Sequence, residues 1–179
     1  FFRNHEKLGW LGCLFRCSLA IRIDNLEDSG LVAKPVGKDQ RTIVASPAYL
    51  KEFGLPETPL ELQEHNVLLF SNPAPQRVWS LYDQEGKKHE VKVSGNFETN
   101  NCETLNKVTL AGLGISLRPK WDVWRKIEEG VLVPLLTDYR PPSYDIQAVY
   151  PNRAYLPYRV RVFIDLLAEN LAKESVWNI

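Results

Sequence analysis

No methionine occurs in these 179 residues, not even at position 1. A newly made chain starts with one, so the sequence is expected to be a fragment or a processed product, with part of its function carried by whatever precedes Phe1. An excess of charge of one sign is also missing. Lys plus Arg is 22 and Asp plus Glu is 22, which leaves no net positive field to hold a polyanion through its phosphates. By itself the chain is not expected to bind DNA. Cysteine is scarce: Cys13, Cys17 and Cys102 are an odd count at spacings that fit neither a zinc site nor a redox pair, which points to reduced thiols in a cytoplasmic setting. No apolar run approaches the ~18 residues of a membrane span. "LGWLGCLF" (8–15) is too short, and although Arg3 and Lys7 precede it, no small-residue cleavage pattern follows.

The patterns of chemistry are equally thin. His5, His65 and His89 are scattered, without carboxylates at ligand spacing, so no metal is expected. "AGLGIS" has glycines, but they end a helix instead of opening one, so no phosphate cofactor is expected either. A nucleophilic enzyme needs Ser or Cys with a base and an orienting group. Cys102 has His65 or His89 as conceivable partners, in no recognisable motif, and its place in a first helical turn would favour a thiolate. A semi-buried, inert cysteine is the simpler expectation, and no catalytic residue is assigned. Glu128 and Glu129 read as the solvated end of a helix.

What is there is an ordinary globular composition, 44% hydrophobic and 25% charged, enough for one domain or two small lobes. "LAIRI" (19–23) reads as a strand before the turn-forming "DNLEDSG". "RTIVASP" (41–47) is a second strand running into a helix capped by Ser46, opened by Pro47 and stopped by Gly54. Thr58 and Glu61 form a capping box for a short helix, "NVLLF" (66–70) is a buried strand, and "RVWSLYD" with "KHEVKVSG" flank a turn at Gly86 as a hairpin. Later come the strand "ISL", a helix opened by Pro119 with Trp121, Trp124 and Ile127 on its core face, the strand "VLVPLL" and the strand "IQAVYP". The last helix, opened by Pro157, sets Val160, Phe163, Ile164, Leu167 and Leu171 on one face. Strands alternating with helices predict α/β architecture.

Between these elements lies "NFETNNCETLNKVTLAGLGIS" (96–116). Asn100 and Glu103 fit N-cap and N3 of a helix ended by Gly112 and Gly114. Unsatisfied N–H groups and the positive dipole end make such a start suited to an anion. The plainer alternative is that Asn100 only caps and Asn101 is solvated.

Three stretches carry a family resemblance: "SLAIRIDNLEDSGLVAKPVGKDQRTIVASPAYLKEFGLPETPLELQEHNVLLF", "NNCETLNKVTLAGLGISLRPKW" and "IQAVYPNRAYLPYRVRVFIDLLAENL", which cover Ser18 to Leu171 in order. They resemble the effector-binding domain of LysR-type bacterial transcription regulators, especially the subgroup with "ASPAYL" after the second strand. The resemblance implies a two-lobed, type 2 periplasmic-binding-protein-like α/β fold with an incomplete first lobe. Residues 18–46 and 144–179 would form lobe I, 47–143 lobe II, and 1–17 stay unassigned. It implies crossing strands near 44–47 and 146–151, and a small-molecule effector held by Ser46, Asn100, Asn101 and Tyr150, with Arg22 and Asp24 lining the first lobe. No cofactor is implied. DNA would be met only through an N-terminal winged helix-turn-helix that this chain lacks, and the intact protein would form dimers or tetramers. The strand-helix-strand-helix unit usual before "AIRI" is not matched by residues 1–17. Asp24 stands where a glycine is usual, and Arg118 where an apolar residue is usual.

The expected function is thus the metabolite-sensing part of a transcription regulator, with a carboxylate as the first candidate effector because Arg22 and the helix start favour an anion. The alternatives are a free-standing solute-binding protein of the same fold, which should carry an export signal, and a truncated product that does not fold alone.

Overall fold

The alternation of apolar and polar residues in "LAIRI" and "IQAVYP" builds antiparallel strands of one unit, while most of the residues between them form another. The computed structural model describes residues 19–23, 31–71, 74–151 and 156–173. They fall into two units, one drawn from residues 1–39 and 144–179, the other from 40–143. Asp24, Cys13, Cys17, His5 and the apolar run 8–15 lie outside the described residues.

In the first unit, β1 (Ala20–Ile23), β2 (Leu31–Asp39) and β10 (Tyr144–Pro151) form an antiparallel sheet in the order β1-β10-β2. The sequence patterns above assign no strand to 31–39, because Pro35 and Gly37 interrupt it. Among the described residues β2 is an edge strand, where a proline without an N–H is tolerated. The register shifts there: Gly37 faces Ile146 and Pro35 faces Gln147, which leaves Val36 as the extra residue of a bulge. A Cβ on Gly37 would stand 3.3 Å from the Leu171 side chain, so glycine lets the last helix approach. That helix, α4 (Tyr158–Lys173), buries Val160 and Ile164 against Val36, Ile146 and Ala148. Phe163, expected on the same face, is 50% exposed. It lies on the flank of a stripe centred on Val160, Ile164 and Leu171, too far round the helix to reach the sheet.

In the second unit, five strands lie in the order β7-β4-β8-β3-β9. They are β3 (Arg41–Ala45), β4 (Val67–Phe70), β7 (Phe97–Thr99), β8 (Ile115–Pro119) and β9 (Val133–Leu135). β4 runs parallel to β7 and β8, and β3 runs antiparallel to β8 and β9. Both faces are covered: Ile43 and Ala45 point into the main core, while Val44 packs with Val123 and Leu132. The hairpin of β5 (Val78–Tyr82) and β6 (Lys88–Lys92) turns at Gly86, φ +83°, as expected.

The helices of this unit are α1 (Pro47–Phe53), α2 (Cys102–Leu110) and α3 (Lys120–Glu128). α1 begins on the Ser46 hydroxyl and stops at Gly54, as the sequence predicts. The Thr58 element is a short 3-10 helix, Pro59–Gln63, and the Thr58 hydroxyl does not cap it: the Glu61 carboxylate accepts instead from the N–H of Glu57, one residue before the cap, and from the Thr58 hydroxyl, both at 2.8 Å. The tryptophans of α3 do not form its core face. Val123 is buried and Ile127 packs beside it, whereas Trp121 is 38% exposed and the Arg125 guanidinium lies 5.3 Å from the Trp124 ring centre. A short helix over so small a cluster has room for branched aliphatics at i and i+4, and the indoles fall to its flanks.

Candidate functional site

Because β4, β7 and β8 are parallel, their C-terminal ends, at Phe70, Thr99 and Pro119, come to one edge of the sheet. β3 runs the other way and places its first residue, Arg41, opposite Pro119 at the same edge. In open α/β sheets this is the edge where ligands bind. α2 starts soon after β7, and α3 directly after β8, so both helix N-termini open there.

The cap of α2 is Asn101. Its side-chain oxygen accepts the Thr104 N–H at 2.8 Å, and its own N–H donates to the Thr99 hydroxyl at 3.1 Å. This corrects the assignment of the cap to Asn100. Thr99 ties down the Asn101 backbone, the helix begins one residue later, and Glu103 pairs with Lys107 at 2.7 Å instead of closing a capping box. The Lys107 ammonium holds the Glu103 carboxyl below its usual range. Asn100 is exposed beside the cap, and Cys102, an exposed free thiol, is the first helical residue.

Lys120 opens α3. Its backbone N–H donates to the Gln40 carbonyl at 2.8 Å and its ammonium to the Gln40 side-chain oxygen at 3.1 Å. Burial first, and the Arg140 guanidinium second, push its pKa below the ordinary lysine value. Beneath the two helix starts lies Arg118, 2% exposed. Its guanidinium donates to the Cys102 carbonyl at 3.2 Å and forms an ion pair with Asp122, which also accepts from the Asn106 amide at 3.0 and 3.1 Å. In the sequence Arg118 stands out only as an unusual residue and is not among the site candidates. A charged residue in an otherwise uncharged strand is the available signal.

The remaining candidates lie elsewhere. Ser46 is buried at the C-terminal end of β3, hence at the opposite edge of the sheet, where its hydroxyl accepts the Tyr49 N–H at 3.3 Å. A Cβ on Gly112, just past the end of α2, would stand 3.3 Å from that hydroxyl. The nine residues of α2, about 14 Å of helix, therefore separate Ser46 from Asn101. Arg22 and Tyr150 belong to the first unit. Arg22 pairs with Gln147 across the sheet, while Tyr150 packs on the core beneath α4, so the two occupy opposite faces. Asp24 is outside the described residues. Among the described residues no three His, Cys, Asp or Glu side chains come together as a metal site, and no helix is long and apolar enough to cross a membrane.

A family model described as the LysR substrate binding domain matches residues 15–172. An uncharacterized HTH-type transcriptional regulator of Haemophilus influenzae is 37% identical over 142 residues, which are 79% of this chain and 49% of that protein. The regulatory domain of CrgA, a LysR-type transcriptional regulator from Neisseria meningitidis, superposes with a TM-score of 0.75 at 33% identity, over 88% of this chain and 76% of that one. The full-length structure of the Vibrio cholerae virulence activator AphB, a member of the LTTR family, gives a TM-score of 0.75 at 27% identity, over 88% of this chain and 53% of that one. The chain spans about half the length of the curated relatives it matches.

Proposed function

The chain belongs to the LysR substrate binding domain family, and we propose that it is the effector-sensing part of a DNA-binding transcription regulator whose effector is a small carboxylate. The fold is the α/β, periplasmic-binding-protein-like fold of LysR regulatory domains. The observation that carries the proposal is the convergence of the α2 and α3 N-termini, with Lys120, at the C-terminal edge of three parallel strands. Each helix start offers backbone donors and the equivalent of roughly half a positive charge. Asn100 and Asn101 supply the neutral polar contacts of this unit. Arg22, Asp24 and Tyr150 remain the contacts that the resemblance implies for the first unit, and Ser46, set at the far edge, acts as the cap of α1.

The chain works without covalent chemistry. Its effector must bind one conformation better than another, or it shifts nothing. In the intact protein that difference is passed to a separate DNA-binding domain, within a homodimer or tetramer in the cytoplasm. A free-standing solute binder gains no support from the relatives, which are named as transcription regulators.

The test is a thermal-shift screen of small carboxylates against the 179-residue chain. At least one is expected to raise Tm, since a ligand at about 100 times its Kd adds roughly 2.7 kcal/mol. Asn100→Ala is expected to lessen the rise. A broad panel in which no carboxylate moves Tm overturns the proposal.

A further inference from the structure

We propose that Arg118 is the positioning residue of this edge: its buried guanidinium, bonded to both the Cys102 carbonyl and the Asp122 carboxylate, holds the first turn of α2 against the first turn of α3. The inference rests on the effector-binding role just described and names the residue that sets its geometry.

Three elements meet at this network. Arg118 projects from β8, Cys102 and Asn106 lie one turn apart at the start of α2, and Asp122 is the third residue of α3. Asp122 thus meets α2 directly through Asn106, and through Arg118 it reaches the carbonyl of the first helical residue. A shift of either helix start must break one of these bonds. Both bonds leave the same terminal nitrogen, Nη2, which carries two N–H groups, and a lysine ammonium, one bond nearer the backbone, does not reach both partners from this strand position.

Neither charge nor stability explains the arrangement as well. Arg118 and Asp122 cancel each other, so together they add no net charge to attract an anion. Among the described residues, Arg118 Nε and Asn106 Oδ1 are buried without a hydrogen-bond partner, which opposes folding. Apolar side chains of similar volume would fill the space without that penalty. What the polar network supplies is a fixed relation between two helix starts whose N–H groups must point at one ligand.

The experiment uses the full 179-residue chain, with amide hydrogen exchange at Thr104 and Leu105 as one readout. Those two amides are held by Asn101 in the first turn of α2. Calorimetric binding of succinate and of sulfate is the second readout. The triple variant Arg118→Met, Asn106→Leu, Asp122→Leu removes the three polar side chains of the network together and is expected to remain folded. It should exchange these two amides about tenfold faster and bind the probe about tenfold more weakly, the scale of coupling within one hydrogen-bond network. Arg118→Lys keeps the charge on a shorter side chain and should also weaken binding, as should Asp122→Asn.

Wild-type exchange at Thr104 and Leu105 in the folded triple variant overturns the positioning role. So does tighter probe binding by Asp122→Asn, or full retention of binding by Arg118→Lys, since both would show that charge alone matters. If neither succinate nor sulfate binds the wild-type chain, these probes give the effector reading no support, while the exchange rates still decide whether Arg118 fixes the turn.

Discussion

The hydroxyl of Tyr49 accepts the backbone N–H of Asn66 at 3.1 Å, joining α1 to the start of β4. The same oxygen stands 3.1 Å from His65 Nδ1, and the tyrosine is 2% exposed. Tyr49→Phe keeps the ring but leaves the Asn66 N–H without this acceptor, so it should cost about 1–2 kcal/mol in urea unfolding. Burial raises the Tyr49 pKa, and the Asn66 hydrogen bond offsets this only in part. Below about pH 10 the hydroxyl is protonated in both the folded and unfolded chain. Above that, the unfolded chain loses its proton first, so stability falls as pH rises toward the folded pKa. The alkaline loss should be smaller in Tyr49→Phe. Identical pH profiles above neutrality would remove this assignment.

Gly95 is exposed, yet it should not tolerate a side chain. A Cβ built there overlaps the Val67 carbonyl, which is backbone and cannot swing aside. Gly86 is the matched control: it has φ +83° with nothing within 4 Å of a built Cβ. Gly86→Ala should cost only the left-handed penalty of about 1–2 kcal/mol. Gly95→Ala should cost more, because β4 must move or its pairing with the Ser94 carbonyl must break. Equal Tm losses for the two variants would contradict this ranking.

Other glycines show what the sequence could disclose. Gly54, Gly112 and Gly130 each take positive φ at a helix end, and a glycine after an apolar-periodic run is a local signal. The Ser46-Pro47 start of α1 is local in the same sense. β2 is not legible in the sequence because its proline and glycine are acceptable only at an edge with a bulge, and the partner strand that makes the bulge is more than 100 residues away. The cap at Asn101 instead of Asn100 depends on a Thr99 hydroxyl that no spacing rule weighs. Arg118 could be seen as odd, but its partners, Cys102 and Asn106 on one helix and Asp122 on another, converge only in three dimensions. For the same reason Ser46 could be placed beside Asn100 on paper, although α2 holds them apart.

Acid should loosen the β5–β6 hairpin through Asp83. Its carboxylate bonds to His89 Nε2 at 2.8 Å and accepts the backbone N–H groups of Lys87 and Glu85 at 2.8 and 3.0 Å. The His89 bond chiefly, and the two N–H groups after it, hold the Asp83 pKa below the usual carboxylate value. Stability from this source is therefore present above the unfolded aspartate pKa of about 3.9 and is lost as pH falls through the folded one. Asp83→Asn should flatten the acid limb of the Tm profile. Amide exchange at Glu85 and Lys87 should quicken in the variant at neutral pH. An unchanged acid limb would assign the acid sensitivity to other carboxylates.

The two adjacent asparagines should separate cleanly by their roles. Asn101→Ala removes the acceptor of the Thr104 N–H, and loss of an N-cap costs about 1 kcal/mol, within roughly 0.5–2. Asn100 has an exposed side chain next to that cap, so Asn100→Ala should stay within about 0.5 kcal/mol of wild type without ligand. Urea unfolding of the two variants measures both values. The order should reverse for the ligand-specific effect: with a binding carboxylate present, Asn100→Ala loses part of the Tm rise with little change in the free protein. A large loss of intrinsic stability in Asn100→Ala, with none in Asn101→Ala, would return the cap to Asn100 and shift the start of α2 by one residue. The N–H groups pointed at the effector would then be different ones.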